Sequence, residues 1–196
     1  MKPEEMIKLI ETRRSIRQFK QKDIPQKIIK QSVSAARLAP SARNLQPLEF
    51  VYIDNTNLVE QIYPLLKWAG YIAPEGNPTK GKHPVGYLIV LLNKNIYDNN
   101  YKYDVGAAIE NFILSAWAFG IGSCWLLSVN RKKLRDILEL SEKYEIDSVI
   151  ALGYPDEKPE IVDTDENIKY WKDEKNQLHV PKRRMKRIYH LNKIQN

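Results

Sequence analysis

The chain has 196 residues, of which 43% are hydrophobic and 10% aromatic, and it carries a formal charge of +7 and a single cysteine. That length suits one domain with a substantial core, and that apolar content excludes a disordered chain. Cys124 alone cannot build an intrachain disulfide framework, no stretch is long enough to span a membrane, and Met1-Lys2-Pro3-Glu4-Glu5 lacks a signal-peptide core, so a cytoplasmic location is expected.

Pro3 suits the first position of a helix, with Glu4 and Glu5 at the positive end of its dipole. Met6, Leu9, Ile10 and Arg13 recur at helical spacing, so a helix is expected from Pro3 to about Arg13. Thr12-Arg13-Arg14-Ser15-Ile16-Arg17-Gln18-Phe19 then places three guanidinium groups and a hydroxyl within five residues. Arg presents a planar fork of donors that matches phosphate oxygens and stays charged at any working pH. The plainer alternative is a solvated basic helix end, where cations suit the dipole. A second helix starts at Pro25, with Ile28, Ile29, Val33 and Ala36 on its apolar face, and Pro40 ends it. Glu49–Ile53 reads as a buried strand.

Asn57–Leu66 has a helical pattern interrupted by Pro64. Pro74, Gly76, Pro78, Gly81 and Pro84 punctuate the next stretch, so residues 68–85 read as a loop or lid. Trp68 and Tyr71 either line a substrate pocket there or pin the loop to the core. Gly86–Leu92 is nearly all apolar and reads as a central strand. Asp104 has the character of an N-cap for a long helix, Val105–Phe119, apolar over most of its circumference and therefore buried in a core or at a dimer interface. Gly120 and Gly122 end it, and Ser123–Leu127 comes next as a short strand. Asn130 caps a helix over Arg131–Leu140, and Asp147–Tyr154 is a buried strand stopped by Pro155. Residues 156–178 are charged without clear periodicity and read as a variable excursion from a single domain. Strands and helices mix without strict βαβ alternation, which favours an α+β fold.

Charge of +7 favours anionic partners: nucleic acid, a membrane surface or phosphorylated small molecules. Aromatics are not interleaved with either basic cluster, at Arg13–Arg17 or at Lys182-Arg183-Arg184-Met185-Lys186-Arg187, which weakens a single-strand nucleic-acid reading. Gly120-Ile121-Gly122 comes after a helix and precedes a strand, the reverse of a dinucleotide-binding turn. His83, His179 and His190 lack metal-ligand spacing, Cys124 has no neighbouring cation in sequence to activate it, and Ser41 lacks a hydrolase context.

Arg13-Arg14-Ser15-Ile16-Arg17 with the later Pro40-Ser41-Ala42-Arg43-Asn44-Leu45-Gln46-Pro47 resembles the nitroreductase family of FMN-dependent oxidoreductases. The resemblance continues through Asp104-Val105-Gly106-Ala107-Ala108-Ile109-Glu110-Asn111, Gly120-Ile121-Gly122-Ser123-Cys124-Trp125 and Ala151-Leu152-Gly153-Tyr154-Pro155. It implies an α+β fold with a central mixed or antiparallel sheet flanked by helices, in an interlocked homodimer with FMN at the subunit interface. By the same resemblance, Arg13, Arg14, Ser15 and Arg17 would hold the FMN phosphate and ribityl chain, and Pro40, Ser41 and Asn44 would approach the flavin ring from the other protomer. Main-chain groups at Leu126, Leu127 and Ser128 would lie along the ring, and Lys182 and Arg183 would return to the phosphate. Leu48 and Arg184 depart from the family pattern, which commonly has an aromatic and a proline there. The implied activity is ping-pong electron transfer from NAD(P)H to a small organic acceptor such as a nitroaromatic or quinone, with no catalytic side chain, no metal, no nucleic acid and no membrane partner. Flavin fragmentation or dehalogenation also occurs on this fold. A reading of another class, a non-catalytic basic protein that recognises nucleic acid or another polyanion, accounts for the charge but not for the Pro-Ser-x-x-Asn-x-Gln-Pro motif.

Overall fold

The computed structural model describes residues 2–194. Its main sheet is antiparallel, in the order β1 (Phe19–Lys20), β5 (Tyr144–Pro155), β3 (Gly86–Asn93) and β2 (Leu48–Ile53), with β4 (Gly122–Leu126) also paired to β5. The long β5 pairs β3 along one edge, and along the other it meets β4 and then β1. All eight residues of β3 are buried, because both faces of the sheet are covered. Successive strand residues point to opposite faces. Tyr87, Ile89 and Leu91 join one core cluster, whereas Leu88 and Val90 join the other. In β5 the alternation shifts between Ile146 and Val149, both in the first cluster. The register slips at the same place, since Val90 faces Ser148 and Leu91 faces Ile146, so Asp147 is the extra residue of a bulge.

Helices α2 (Gln26–Arg37) and α4 (Tyr101–Ala118) cover one face through Ile29, Ala36, Val105, Ile109 and Phe112. The short α3 (Thr56–Ile62) and α5 (Arg131–Ile137) cover the other through Val59, Ile62 and Leu134. Each of these short helices starts on an Asn cap: Asn55 accepts the Leu58 N–H and Asn130 the Lys133 N–H, both at 3.2 Å. α1 (Pro3–Thr12) contributes no buried residue, and Met6, Ile7 and Ile10 stand exposed on it.

Five expectations from sequence are corrected. Glu49–Ile53 is not a buried strand: among the described residues β2 is an edge that pairs only with β3, and within it only Ile53 is buried. Helix α3 stops at Ile62, and Pro64, which cannot continue a helix, enters a 3-10 turn over Tyr63–Leu65. Helix α5 ends at Ile137, with Glu139 just beyond it in the left-handed region at φ 48°. Helix α4 begins at Tyr101, a turn earlier than expected, so Asp104 lies inside the helix and is not its cap. Residues 156–178 are not wholly irregular. They contain β6 (Glu160–Thr164) and β7 (Trp171–Lys172), which flank β8 (Leu178–Arg183) in a second, three-stranded sheet.

The loop at 68–85 is tied down at several points. Trp68 is buried in the core, which is consistent with a pinning role. The Gln18 amide donates to the Asn77 carbonyl at 2.9 Å and accepts from Thr79, and the Tyr63 hydroxyl donates to the Pro78 carbonyl. Tyr71 is mostly exposed but packs against Tyr170, at 5.0 Å between ring centroids. No described helix is long and apolar enough to cross a membrane.

Candidate functional site

The basic segment leaves α1 in extended conformation and runs beside β4. Ser15 forms a parallel bridge to Ser123, and the Ile16 N–H donates to the Ser123 carbonyl at 2.9 Å. Ile16 and Phe19 are fully buried. Two glycines permit this approach: a Cβ on Gly122 would meet Ile16 at 2.8 Å, and one on Gly153 would meet Phe19 at 2.8 Å. With Ile16 turned into the core, alternation turns Ser15 and Arg17 the other way.

Each arginine has some protein partners but keeps a donor unmet. Arg13 Nε lies 3.5 Å from a Glu110 carboxylate oxygen. The Arg14 guanidinium folds back onto the carbonyls of Glu11 and Arg13 at the end of α1. Arg17 lies over the Tyr170 ring, 5.3 Å from its centroid. Glu157 accepts the backbone N–H groups of Arg17 and Gln18. The Nε atoms of Arg13, Arg14 and Arg17 are buried without a hydrogen-bond partner among the described residues. Burial, and then the neighbouring charge of Arg13, push the Arg14 guanidinium below its ordinary pKa. Buried cationic donors without acceptors are costly, and an anion placed among them relieves both the unmet bonds and the repulsion. An anionic group such as a phosphate could be held here by the side chains, because Glu157 already engages the nearby backbone donors.

The same bridge brings the end of β4 toward this segment. Leu126 lies three residues beyond Ser123, about 10 Å along the strand at the usual rise per residue. Leu126 is buried and Leu127 exposed; the Leu127 carbonyl accepts from Arg131, and that of Ser128 from the Lys67 N–H. Burial raises the pKa of the nearby Cys124 thiol, which is consistent with a packed thiol.

The second motif lies elsewhere in the chain. Pro40, Ser41, Gln46 and Pro47 line a mainly apolar cavity of about 250 Å³ with Phe50 and Ala108, and no residue of Arg13–Arg17 lines it. Ser41 Oγ accepts the Gln46 N–H at 3.1 Å. Arg43, Asn44 and Gln46 adopt positive φ values of 51°, 57° and 52°. Lys182 and Arg183 end β8 in the second sheet, where Arg183 donates to the Arg187 carbonyl. Arg184, Lys186 and Arg187 converge on Asp165. Among the described residues, neither Lys182 nor Arg183 hydrogen-bonds to Arg13–Arg17.

Sequence reasoning misses three residues that shape these regions. Glu157 and Tyr170 fall in the stretch without periodicity and carry no local signal. Asp104 has the sequence character of a cap, but its carboxylate instead accepts the Ala42 N–H at 2.9 Å.

The model of the Nitroreductase family matches residues 10–154. This chain belongs to the nitroreductase family. A protein of Archaeoglobus fulgidus, named as a candidate NADH dehydrogenase/NAD(P)H nitroreductase, is 31% identical over 172 residues, covering 83% of this chain and 92% of the relative. The solved structure of an FMN-dependent nitroreductase from Clostridium difficile superposes with a TM-score of 0.69 at 22% identity, covering 96% of this chain and 99% of that one. A candidate NADH oxidase from Clostridium acetobutylicum gives a TM-score of 0.62 at 26% identity, covering 76% of this chain and 87% of that one. Nitroreductase-family membership supports oxidoreductase chemistry, and the antiparallel sheet with flanking helices matches the nitroreductase fold.

Proposed function

We propose that this nitroreductase-family protein is an FMN-dependent oxidoreductase that passes electrons from NAD(P)H to a small organic acceptor, such as a nitroaromatic or quinone. The observation that carries this reading is the set of three buried arginine Nε donors at Arg13, Arg14 and Arg17 that make no hydrogen bond among the described residues, although Arg13 pairs with Glu110 at 3.5 Å. These side chains, with Ser15, would hold the cofactor phosphate. Main-chain groups at Leu126, Leu127 and Ser128 would border the ring. Pro40, Ser41 and Asn44 would complete the site from a second protomer, which is consistent with the cavity that Pro40 and Ser41 line having no wall from Arg13–Arg17 of the same chain. Lys182 and Arg183 would reach the phosphate only if the end of the second sheet approached it.

FMN, when bound, would supply the electron-accepting and electron-donating chemistry. The protein's part is then to bind, orient and exclude water, and no side chain is assigned as acid or base. Reduced nicotinamide would enter and its oxidised form would leave before the acceptor occupies the same space, giving ping-pong turnover.

A homodimer is supported by apolar surface left open on the single chain. Met6, Ile7 and Ile10 are exposed on α1, and Tyr103 and Phe119 are exposed on or just beyond α4. The polyanion-binding alternative gains little, because three of the late basic side chains already share Asp165. The direct test is to denature purified protein and chromatograph the released flavin. FMN is the expected result; FAD alone, or no flavin after reconstitution, contradicts the proposal.

A further inference from the structure

We propose that Asp104 is a positioning residue whose buried carboxylate holds the Pro40–Pro47 loop in the left-handed conformation that presents Ser41 and Asn44. The inference rests on the flavin reading. Asp104 lies in the first turn of α4 and is only 6% exposed. A carboxylate removed from water needs a partner. Here Oδ1 takes the backbone N–H of Ala42, 62 residues earlier and inside the loop.

Directly after Ala42 come Arg43 and Asn44, and then Gln46, all at positive φ and none a glycine. Residues persist in such conformations only where their surroundings over-determine them. The backbone closes a 3-10 turn over Ala42–Asn44, with the Asn44 N–H on the Ser41 carbonyl at 2.9 Å and the Leu45 N–H on the Ala42 carbonyl at 3.1 Å, and the Asn93 N–H donates to the Pro47 carbonyl. The other side-chain restraints are solvent-exposed: Ser41 Oγ to the Gln46 N–H, the Gln46 side chain to the Asn44 carbonyl at 3.3 Å, and the Arg43–Asp98 pair at 3.3 Å. The Asp104 bond is the one made by a buried side chain. Asp104 also lines the cavity beside Pro40 and Ser41, so the loop is fastened from within that cavity. It acts on the site through Ala42 and needs no contact with the flavin.

The test is titration of the full-length apoprotein with FMN. Asp104→Ala should bind FMN about tenfold more weakly, the scale expected for one charge-assisted hydrogen bond. Asp104→Asn keeps an oxygen that accepts the Ala42 N–H and should stay within about threefold of wild type. Arg43→Gly, which adopts positive φ without strain, should recover part of the loss when added to Asp104→Ala. A lesion that merely loosened α4 would not be recovered by a change in the loop. Should the alanine variant fail to fold, Asp104→Leu fills similar space without an acceptor and takes its place. Wild-type protein that binds no FMN overturns the flavin reading and this inference together. Wild-type binding with Asp104→Ala unchanged overturns this inference alone, as does a loss that neither Asn at 104 nor Gly at 43 recovers.

Discussion

The two candidate half-sites are built in opposite ways. The Arg13–Arg17 segment is fixed by the core: Ile16 and Phe19 are fully buried, and a backbone bridge joins Ser15 to Ser123. The Pro40–Pro47 loop holds an unfavoured backbone with a short 3-10 turn, a bond from Asn93 to the Pro47 carbonyl and a few side-chain bonds. Their anchors also belong to different cores. Ile16 and Phe19 join the cluster on one face of the sheet, while Ala39, Leu48 and Phe50 pack against the cluster on the other. Position in the first region depends on packing, so errors there cost stability and binding together. Position in the second depends on polar fastening, so binding can be lost while the fold survives.

The sharpest way to break the first region is to crowd it. Gly122→Val would force a side chain into the space of Ile16, at a cost of about 3 kcal/mol, and flavin binding should fall with it. A thermal melt of the apoprotein checks the first effect and an FMN titration the second. Loading with FMN at a hundredfold excess over its dissociation constant should stabilise wild type by about 2.7 kcal/mol, seen as a raised Tm on reconstitution. Arg17→Ala should weaken FMN binding by about 2 kcal/mol without a comparable loss of stability, and Arg17→Lys should restore only part, because Lys is a point charge without the fork. The comparison is the FMN titration against the apoprotein melt. Removing the ring beneath that guanidinium is a gentler change. Tyr170→Leu should weaken binding by about 0.5–1 kcal/mol, which an FMN titration at matched salt would detect.

Much of this architecture is legible in the sequence where pattern and structure share one cause. The apolar run Gly86–Leu92 forms a strand buried on both faces, and Asn130 caps the helix it precedes. What escapes depends on distant partners. β1 is two residues long and exists because Phe19 and Lys20 meet the end of β5. The second sheet joins segments too short and too charged to show alternation, and pairing across the intervening chain defines it. The arginines are legible as a basic cluster, but the burial of their Nε atoms beside β4 is not. Asp104 is not, since an acid before an apolar run is a sound capping signal and nothing local reveals a bond to Ala42. Tyr170 and Glu157 reach Arg17 only through the folded chain.

The central claim is that one flavin draws its phosphate contacts from one protomer and its loop contacts from another. Arg17→Ala and Asn44→Ala damage one half-site each, and both should weaken flavin retention in the pure variants. In a mixed dimer both lesions fall around a single flavin and the other site is intact. Mixing the two variants under conditions of confirmed subunit exchange should therefore restore FMN binding, up to one site per heterodimer. No recovery after exchange, or a stable monomer that retains FMN fully, would contradict the shared site.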